Sequence, residues 1–270
     1  MNKIIDVHSH YTHKRFSSGR NALLSSLGDN GIVAVVDAAI GFDSNSEMLE
    51  HCNEWPSLFY AVVGCHPNRI REMNEENFSK IADLLSHPNV IGIGETGLDY
   101  SSNVVFPKTE EDIELQKKWF LRFVELALKH KKPLVIHCRE TEAYDDLIDM
   151  LSTFHLPEIP GIIHCFGSNT SHFEKLASLG FYFSIGGMFT KLPSDHKLLD
   201  ALRAMPLERI LLETDCPFLA PAGTTGNRNS SLNIPHIVDA LATLRDENPD
   251  DIYTAAYENT KKVFPGIVGD

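Results

Sequence analysis

The chain has 270 residues, 43% of them hydrophobic and 23% charged, so it is long enough to bury a full core without staples. Its 24 Lys+Arg against 37 Asp+Glu give a formal net charge of -13, which argues against a protein that coats nucleic acid through a basic face. No apolar run reaches the roughly 18 residues that span a bilayer. The opening Met1-Asn2-Lys3-Ile4-Ile5-Asp6 has no signal-peptide core, and five cysteines, an odd number, suit a reducing compartment, so a cytoplasmic protein with no membrane association and no obligate protein partner is expected.

In chain order, Ile4–His8 is the first candidate strand. The loop Tyr11–Arg20, with Lys14, Arg15 and Arg20, leads to a short helix over Asn21–Gly28. Strand Ile32–Ile40, helix Ser44–Glu54, strand Phe59–Cys65 and helix Asn74–Ser86 follow. Strand Val90–Glu95 runs into an irregular stretch, Tyr100–Lys108, with apolar Val104, Val105 and Phe106. The longest helix, Thr109–Lys132, carries the stripe Leu115, Trp119, Phe123, Leu126, Ala127 and is ended by Pro133. Then come strand Leu134–Cys138, helix Glu142–Phe154, strand Gly161–Cys165, helix Ser171–Leu179, strand Phe181–Ile185, helix Asp195–Ala204 and strand Ile210–Asp215. The loop Phe218–Asn233 and helices Ile234–Glu247 and Asp250–Val263 close the chain.

Eight aliphatic strands alternating with helices predict an α/β fold, a single (β/α)8 TIM barrel over residues 1–270. Its functional site belongs at the C-terminal ends of the strands, and that is where the chemical residues fall. His8 and His10 alternate at the end of the first strand and can point at one ion. Glu95 ends the fourth strand, His137 the fifth, His164 the sixth and Asp215 the eighth. Six such side chains exceed what one tetrahedral ion needs, and Glu95 can bridge two cations, so a two-metal site is the reading. Glu213 shares a face with Asp215 and lies deeper, as a hydrogen-bond partner. Cys65, Cys138, Cys165 and Cys216 adjoin His66, His137, His164 and Asp215, so alternation turns them toward the helices as apolar fillers.

Taken in order, Asp6-Val7-His8-Ser9-His10, Gly64-Cys65-His66-Pro67, Gly94-Glu95-Thr96-Gly97-Leu98-Asp99-Tyr100, His137-Cys138-Arg139, His164-Cys165-Phe166-Gly167 and Glu213-Thr214-Asp215-Cys216-Pro217-Phe218-Leu219-Ala220-Pro221 resemble the TatD-type metal-dependent hydrolases along essentially the whole chain. The resemblance implies one divalent ion held by His8, His10, Glu95 and Asp215 and a second by Glu95, His137 and His164. It also implies Mg-dependent hydrolysis of DNA phosphodiesters from the 3′ end. Single strands are expected to be preferred, since an acidic surface repels a long duplex and a barrel mouth admits one flexible strand more easily. Cys138 and Cys216 stand where the family more usually has smaller hydroxyl or methyl side chains.

The expected catalytic residues are Asp215, as general base toward a metal-activated water, and Glu95. The expected phosphate contacts are His66, Arg139 and Arg228. His66 has a second reading, as a cap before Pro67. Phosphate chemistry favours Mg or Mn, while His-rich ligation also suits Zn, Ni or Fe. The alternative function is a small-molecule amidohydrolase, lactonase or phosphotriesterase on the same barrel. The absence of a strand-terminal Lys, with Glu95 in the bridging place, disfavours the usual cyclic-amide enzymes among these.

Overall fold

The computed structural model describes residues 2–102, 108–226 and 228–267, so the apolar Val104, Val105 and Phe106 lie outside the described residues. Strands β1 (Ile4–Ser9), β2 (Ile32–Ala38), β3 (Phe59–Val63), β4 (Val90–Asp99), β5 (Leu134–Arg139), β6 (Gly161–Ile163), β7 (Tyr182–Ile185) and β8 (Ile210–Leu212) form one parallel sheet in chain order. Helices α1 (Arg20–Leu27), α2 (Ser44–Glu54), α3 (Glu75–Asp83), α4 (Glu110–His130), α5 (Thr141–Leu151), α6 (Thr170–Ser178) and α7 (Lys197–Ala204) connect them, and α8 (Ile234–Arg245) and α9 (Pro249–Val263) follow β8. This is the expected (β/α)8 barrel. No helix among the described residues is long and apolar enough to cross a membrane.

Local chemistry fixes the helix ends. Thr109 Oγ1 accepts the Asp112 N–H while Asp112 Oδ2 accepts the Thr109 N–H, a reciprocal cap that starts α4. Lys131, in the left-handed region at φ 53°, stops it before Pro133.

The barrel closes between its first and last strands through the chain just past β8. The Asp215 N–H donates to His8 O at 3.0 Å and the His10 N–H to Cys216 O at 2.8 Å. The Asp6 carboxylate spans the same seam, accepting from the Thr214 N–H at 2.9 Å, from the Thr214 hydroxyl and from Ser231 Oγ at 2.7 Å.

Alternate strand residues separate two apolar cores. Ile5, Val7, Val36, Val62, Val135, Ile162 and Leu211 pack with Phe264 and Ile267, filling the lower barrel. Their strand neighbours, such as Ile4, Val35, Val63, Ile136, Ile163 and Leu212, pack in the large cluster shared with the helices.

Several strands end earlier than expected, and β1, β4 and β5 end later. Pairing stops at Ala38, Val63, Ile163 and Leu212 rather than at Ile40, Cys65, Cys165 and Asp215. Cys165 and Asp215 take φ of 44° and 55°, which no strand residue adopts, so the chain has already turned out of the sheet there. β4 instead continues to Asp99, because Gly97 pairs with His137 and Asp99 with Arg139. Gly97 is required for this: a Cβ there would meet His137 O at 1.9 Å.

Candidate metal centre

At the upper end of the barrel seven side chains converge from six strand ends. Two of them arrive by a break in strand phase. Ile5 and Val7 face the lower interior, so unbroken alternation would send His8 outward, yet a register shift between Asp6 and Ser9 turns His8 and His10 both inward. Likewise Ile93 packs toward the helices, and the shift between Ile93 and Thr96 turns Glu95 into the barrel. The close approach of β3 to β4 here needs two glycines, since a Cβ on Gly64 would lie 2.8 Å from the carbonyl of Gly94.

Glu95 is the hub, and its two oxygens serve different neighbours. Oε2 lies 3.3 Å from His8 Nε2 and 3.6 Å from His10 Nε2. Oε1 lies 2.9 Å from His137 Nδ1, 3.2 Å from His164 Nε2 and 3.4 Å from His66 Nε2. Asp215 Oδ1 joins the first group, 3.1 Å from His10 Nε2 and 3.8 Å from His8 Nε2. The carboxylate is almost wholly buried and Oε2 has no hydrogen-bond partner.

The proton positions test whether this set suits cations. His10 Nδ1 faces Ala38 O at 2.9 Å, an atom that only accepts, so the proton sits on Nδ1. His164 Nδ1 faces Glu213 Oε2 at 3.0 Å and its Nε2 faces Glu95 Oε1, while His137 Nε2 faces Asp99 Oδ2 at 3.2 Å and its Nδ1 faces Glu95 Oε1. On His10 a lone pair is thereby aimed at Asp215, and on the other two rings a carboxylate stands at both nitrogens, an arrangement that calls for a proton or a cation between them. This is how metal-bound histidines are oriented. His10 shows the same field as an affinity for a proton. Burial opposes its charging, but the hydrogen bond and charge of Asp215 outweigh it and push the imidazole up to about 9. The donors of His8, His10 and Glu95, and those of Glu95, His137 and His164, each lie within 4.8 Å of one another. The residues present fit two cations.

His66 is built differently. Its Nδ1 accepts the Asn68 N–H at 3.0 Å, capping the 3-10 turn Pro67–Glu72, so Nε2 carries the proton and points it into the site. Burial, reinforced by His137 and His10, pushes the ring down to about 3, so it is a neutral donor at physiological pH. The cap and the site role are two ends of one ring. Above the cluster lies a cavity of about 480 Å³ walled by Ile40, Asn68, Arg69 and Phe218 as well as these side chains.

The description TatD related DNase is that of the family whose model matches residues 5–265. The chain belongs to the TatD family. It is 29% identical over 263 residues to the uncharacterized metal-dependent hydrolase YabD of Bacillus subtilis (strain 168), across 97% of this chain and 98% of that one. It is 27% identical over 266 residues to the 3′-5′ ssDNA/RNA exonuclease TatD of Erwinia billingiae, with 97% and 98% coverage. Among solved structures it is similar to the TatD homolog YJJV of Escherichia coli K12, with a TM-score of 0.86, 26% identity and 97% of each chain covered. The protein is thus a metal-dependent hydrolase of the TatD family.

In this TatD family protein the other expected contacts lie farther out. Arg139 is exposed at the end of β5 and lines a neighbouring cavity of about 570 Å³ with His196 and Lys197. Arg228 donates to Arg15 O and Ser18 O, each at 3.1 Å, and stacks over Phe16, so it ties the β1 loop to the β8 loop. Arg15 donates to Pro217 O at 3.0 Å and Arg20 pairs with His51, leaving Lys14 beside a further cavity of about 740 Å³.

Three cysteines sit as expected in the helix-facing core, Cys65, Cys138 and Cys216, while Cys165 is partly exposed. Burial pushes the Cys65 thiol up to about 12 and the other three well above their ordinary value, so none is a nucleophile.

The supporting acids Asp6, Asp37 and Asp99 were not singled out by sequence. Asp37 accepts from the Tyr11 N–H at 2.6 Å and from Ser9 Oγ at 3.1 Å, and so holds the β1 end from outside. The available signal was their position: each is a carboxylate set in an aliphatic strand, and Asp99 closes its own.

Proposed function

We propose that this TatD family hydrolase is a nuclease that removes nucleotides from the 3′ end of single-stranded DNA, using two divalent ions, Mg or Mn. The observation that carries the reading is the division of Glu95. One oxygen serves His8, His10 and Asp215; the other serves His137 and His164. A carboxylate placed this way suits a pair of ions that grip one phosphodiester. The likeness to the 3′-5′ ssDNA/RNA exonuclease TatD of Erwinia billingiae supports the substrate class.

When bound, the ions supply Lewis-acid neutralisation of the phosphoryl charge and acidify water. The chain's own groups do the rest. Glu95, His8, His10, His137, His164 and Asp215 would hold the ions. Asp215 is the ligand nearest solvent by side-chain exposure among His8, His10, Glu95 and itself, and is placed to take a proton from water at the mouth. The His66 Nε2–H donates to a phosphoryl oxygen or to the leaving oxygen. Glu213, through His164, and Asp99, through His137, fix the rings.

The test is turnover of the metal-reconstituted protein on single-stranded DNA, duplex DNA, RNA and a panel of lactones and phosphotriesters. Single strands should be shortened from the 3′ end, chelation should abolish this, and Mg or Mn should restore it. Asp215→Asn should keep strand binding while lowering cleavage about 10²-fold or more. Turnover of the small molecules with no cleavage of any nucleic acid would replace this reading.

A further inference from the structure

Phe218 and Leu219, at 36% and 38% exposure, are the large apolar side chains left exposed among the described residues. They stand beside the metal centre, on the chain that closes the barrel. The Phe218 ring lies edge-on to His10 at 6.1 Å and to His13 at 5.1 Å. It lines both the cavity over the metal centre and the adjoining cavity of about 740 Å³ under the β1 and β2 loops, and Ile40 and Arg69 line both as well. An apolar threshold thus separates a space suited to a phosphate from a larger one.

The backbone that presents the ring is fixed on every side. The Phe218 N–H donates to Asp215 O at 2.9 Å. Pro217 O accepts from Arg15 and from the Asn229 N–H. Leu219 O and Pro221 pack so closely on Gly187 that a Cβ there would lie 2.5 Å from Leu219 O. Leaving a large aromatic in water forgoes the gain from burying it, and holding it rigid beside a catalytic centre gives a planar ligand a pre-organised face.

We propose that Phe218 is the stacking platform for the base of the 3′-terminal nucleotide, which rests on its ring at the Ile40 threshold while the scissile phosphate lies over Glu95 and His66. The proposal rests on the nuclease reading. Stacking is indifferent to base identity, because every base has a π-face, so this site selects an unpaired terminal base and not a sequence. A paired terminal base is held by its complement and stacked on its inner face, so duplex ends must fray before the base can turn onto the ring.

The experiment compares two single-stranded oligonucleotides, one ending in 2-aminopurine and one in an abasic nucleotide, on wild type, Phe218→Ala and Phe218→Trp. Wild type should favour the base-bearing end by about tenfold in kcat/KM, mostly through KM, and should quench the 2-aminopurine fluorescence on binding. Phe218→Ala should cleave both ends alike and lose the quenching, while Phe218→Trp should keep both. If Phe218→Ala retains the discrimination and the quenching, the platform is overturned and the nuclease reading stands. If wild type cleaves neither oligonucleotide, the nuclease reading falls and the platform with it.

Discussion

The lower and upper halves of the barrel interior are equally dry and opposite in chemistry. Below, Ile5, Val7, Val36, Val62, Val135, Ile162 and Leu211 interlock with Phe264 and Ile267. Above, His8, Glu95, His164 and Glu213 are each no more than 4% exposed, as are Asp6, Asp37 and Asp99. The apolar half gains free energy from leaving water. The polar half loses it, because burying charge without full pairing is costly, and Glu95 Oε2, Glu213 Oε1, Asp37 Oδ2 and His8 Nδ1 have no hydrogen-bond partner. The lower half is therefore a foundation whose stability permits an upper half shaped for cations.

Four substitutions would break or sharpen that contrast. The largest effect on activity belongs to Glu95→Ala. It should remove both ions and lower turnover by about 10³-fold or more, whereas His164→Ala should remove only one ion. Elemental analysis of the two variants decides this, and equal single-ion loss in both would exclude the bridging role.

Next, Leu211→Ala opens the lower core and should cost about 2–5 kcal/mol of stability. The metal content and the turnover of the protein still folded should be unchanged. Urea unfolding beside metal counting checks it, and loss of metal at full stability would mean that the halves are not separable in this way.

Smallest is Cys138→Ser, which puts a hydroxyl into the helix-facing layer at a cost of about 1–3 kcal/mol. Metal binding should persist. Metal loss would show that this thiol faces the site.

The sequence was legible wherever strand alternation holds. His137 follows Val135, which faces inward, so it too points inward, and Cys138 faces out. Glu213 follows Leu211 in the same way and faces His164 as its deeper position suggests, while Asp215 reaches the site from the turn beyond β8. Alternation fails at His8 and Glu95, where shifts in pairing with the neighbouring strand reset the phase. Nothing local to those segments encodes the shift. His8 and His10 nonetheless come to face the same way, with their Nε2 atoms 3.2 Å apart. Strand lengths were misjudged where aliphatic character outlasts pairing, as at Cys65, or where pairing outlasts it, as at Asp99. Arg228 reads as a phosphate ligand from its type and place, and only the fold shows it spent on the carbonyls of Arg15 and Ser18. The supporting acids are hard to read because their partners are distant in sequence: Asp6 meets Thr214 across 208 residues, and Asp99 meets His137 across 38.

That separation bears on when the site comes into being. His10 and Asp215 are 205 residues apart, and Asp6 reaches Ser231 across 225. During synthesis His8 and His10 leave the ribosome early and wait, unligated, until the last strand and the loop beyond it have emerged. Contacts of such long range are among the slowest to form, because the loop they close is nearly the whole chain. A nascent chain halted before residue 213 lacks Glu213 and Asp215 and has no partner for the β1 edge, so hydrolytic competence arrives together with ring closure.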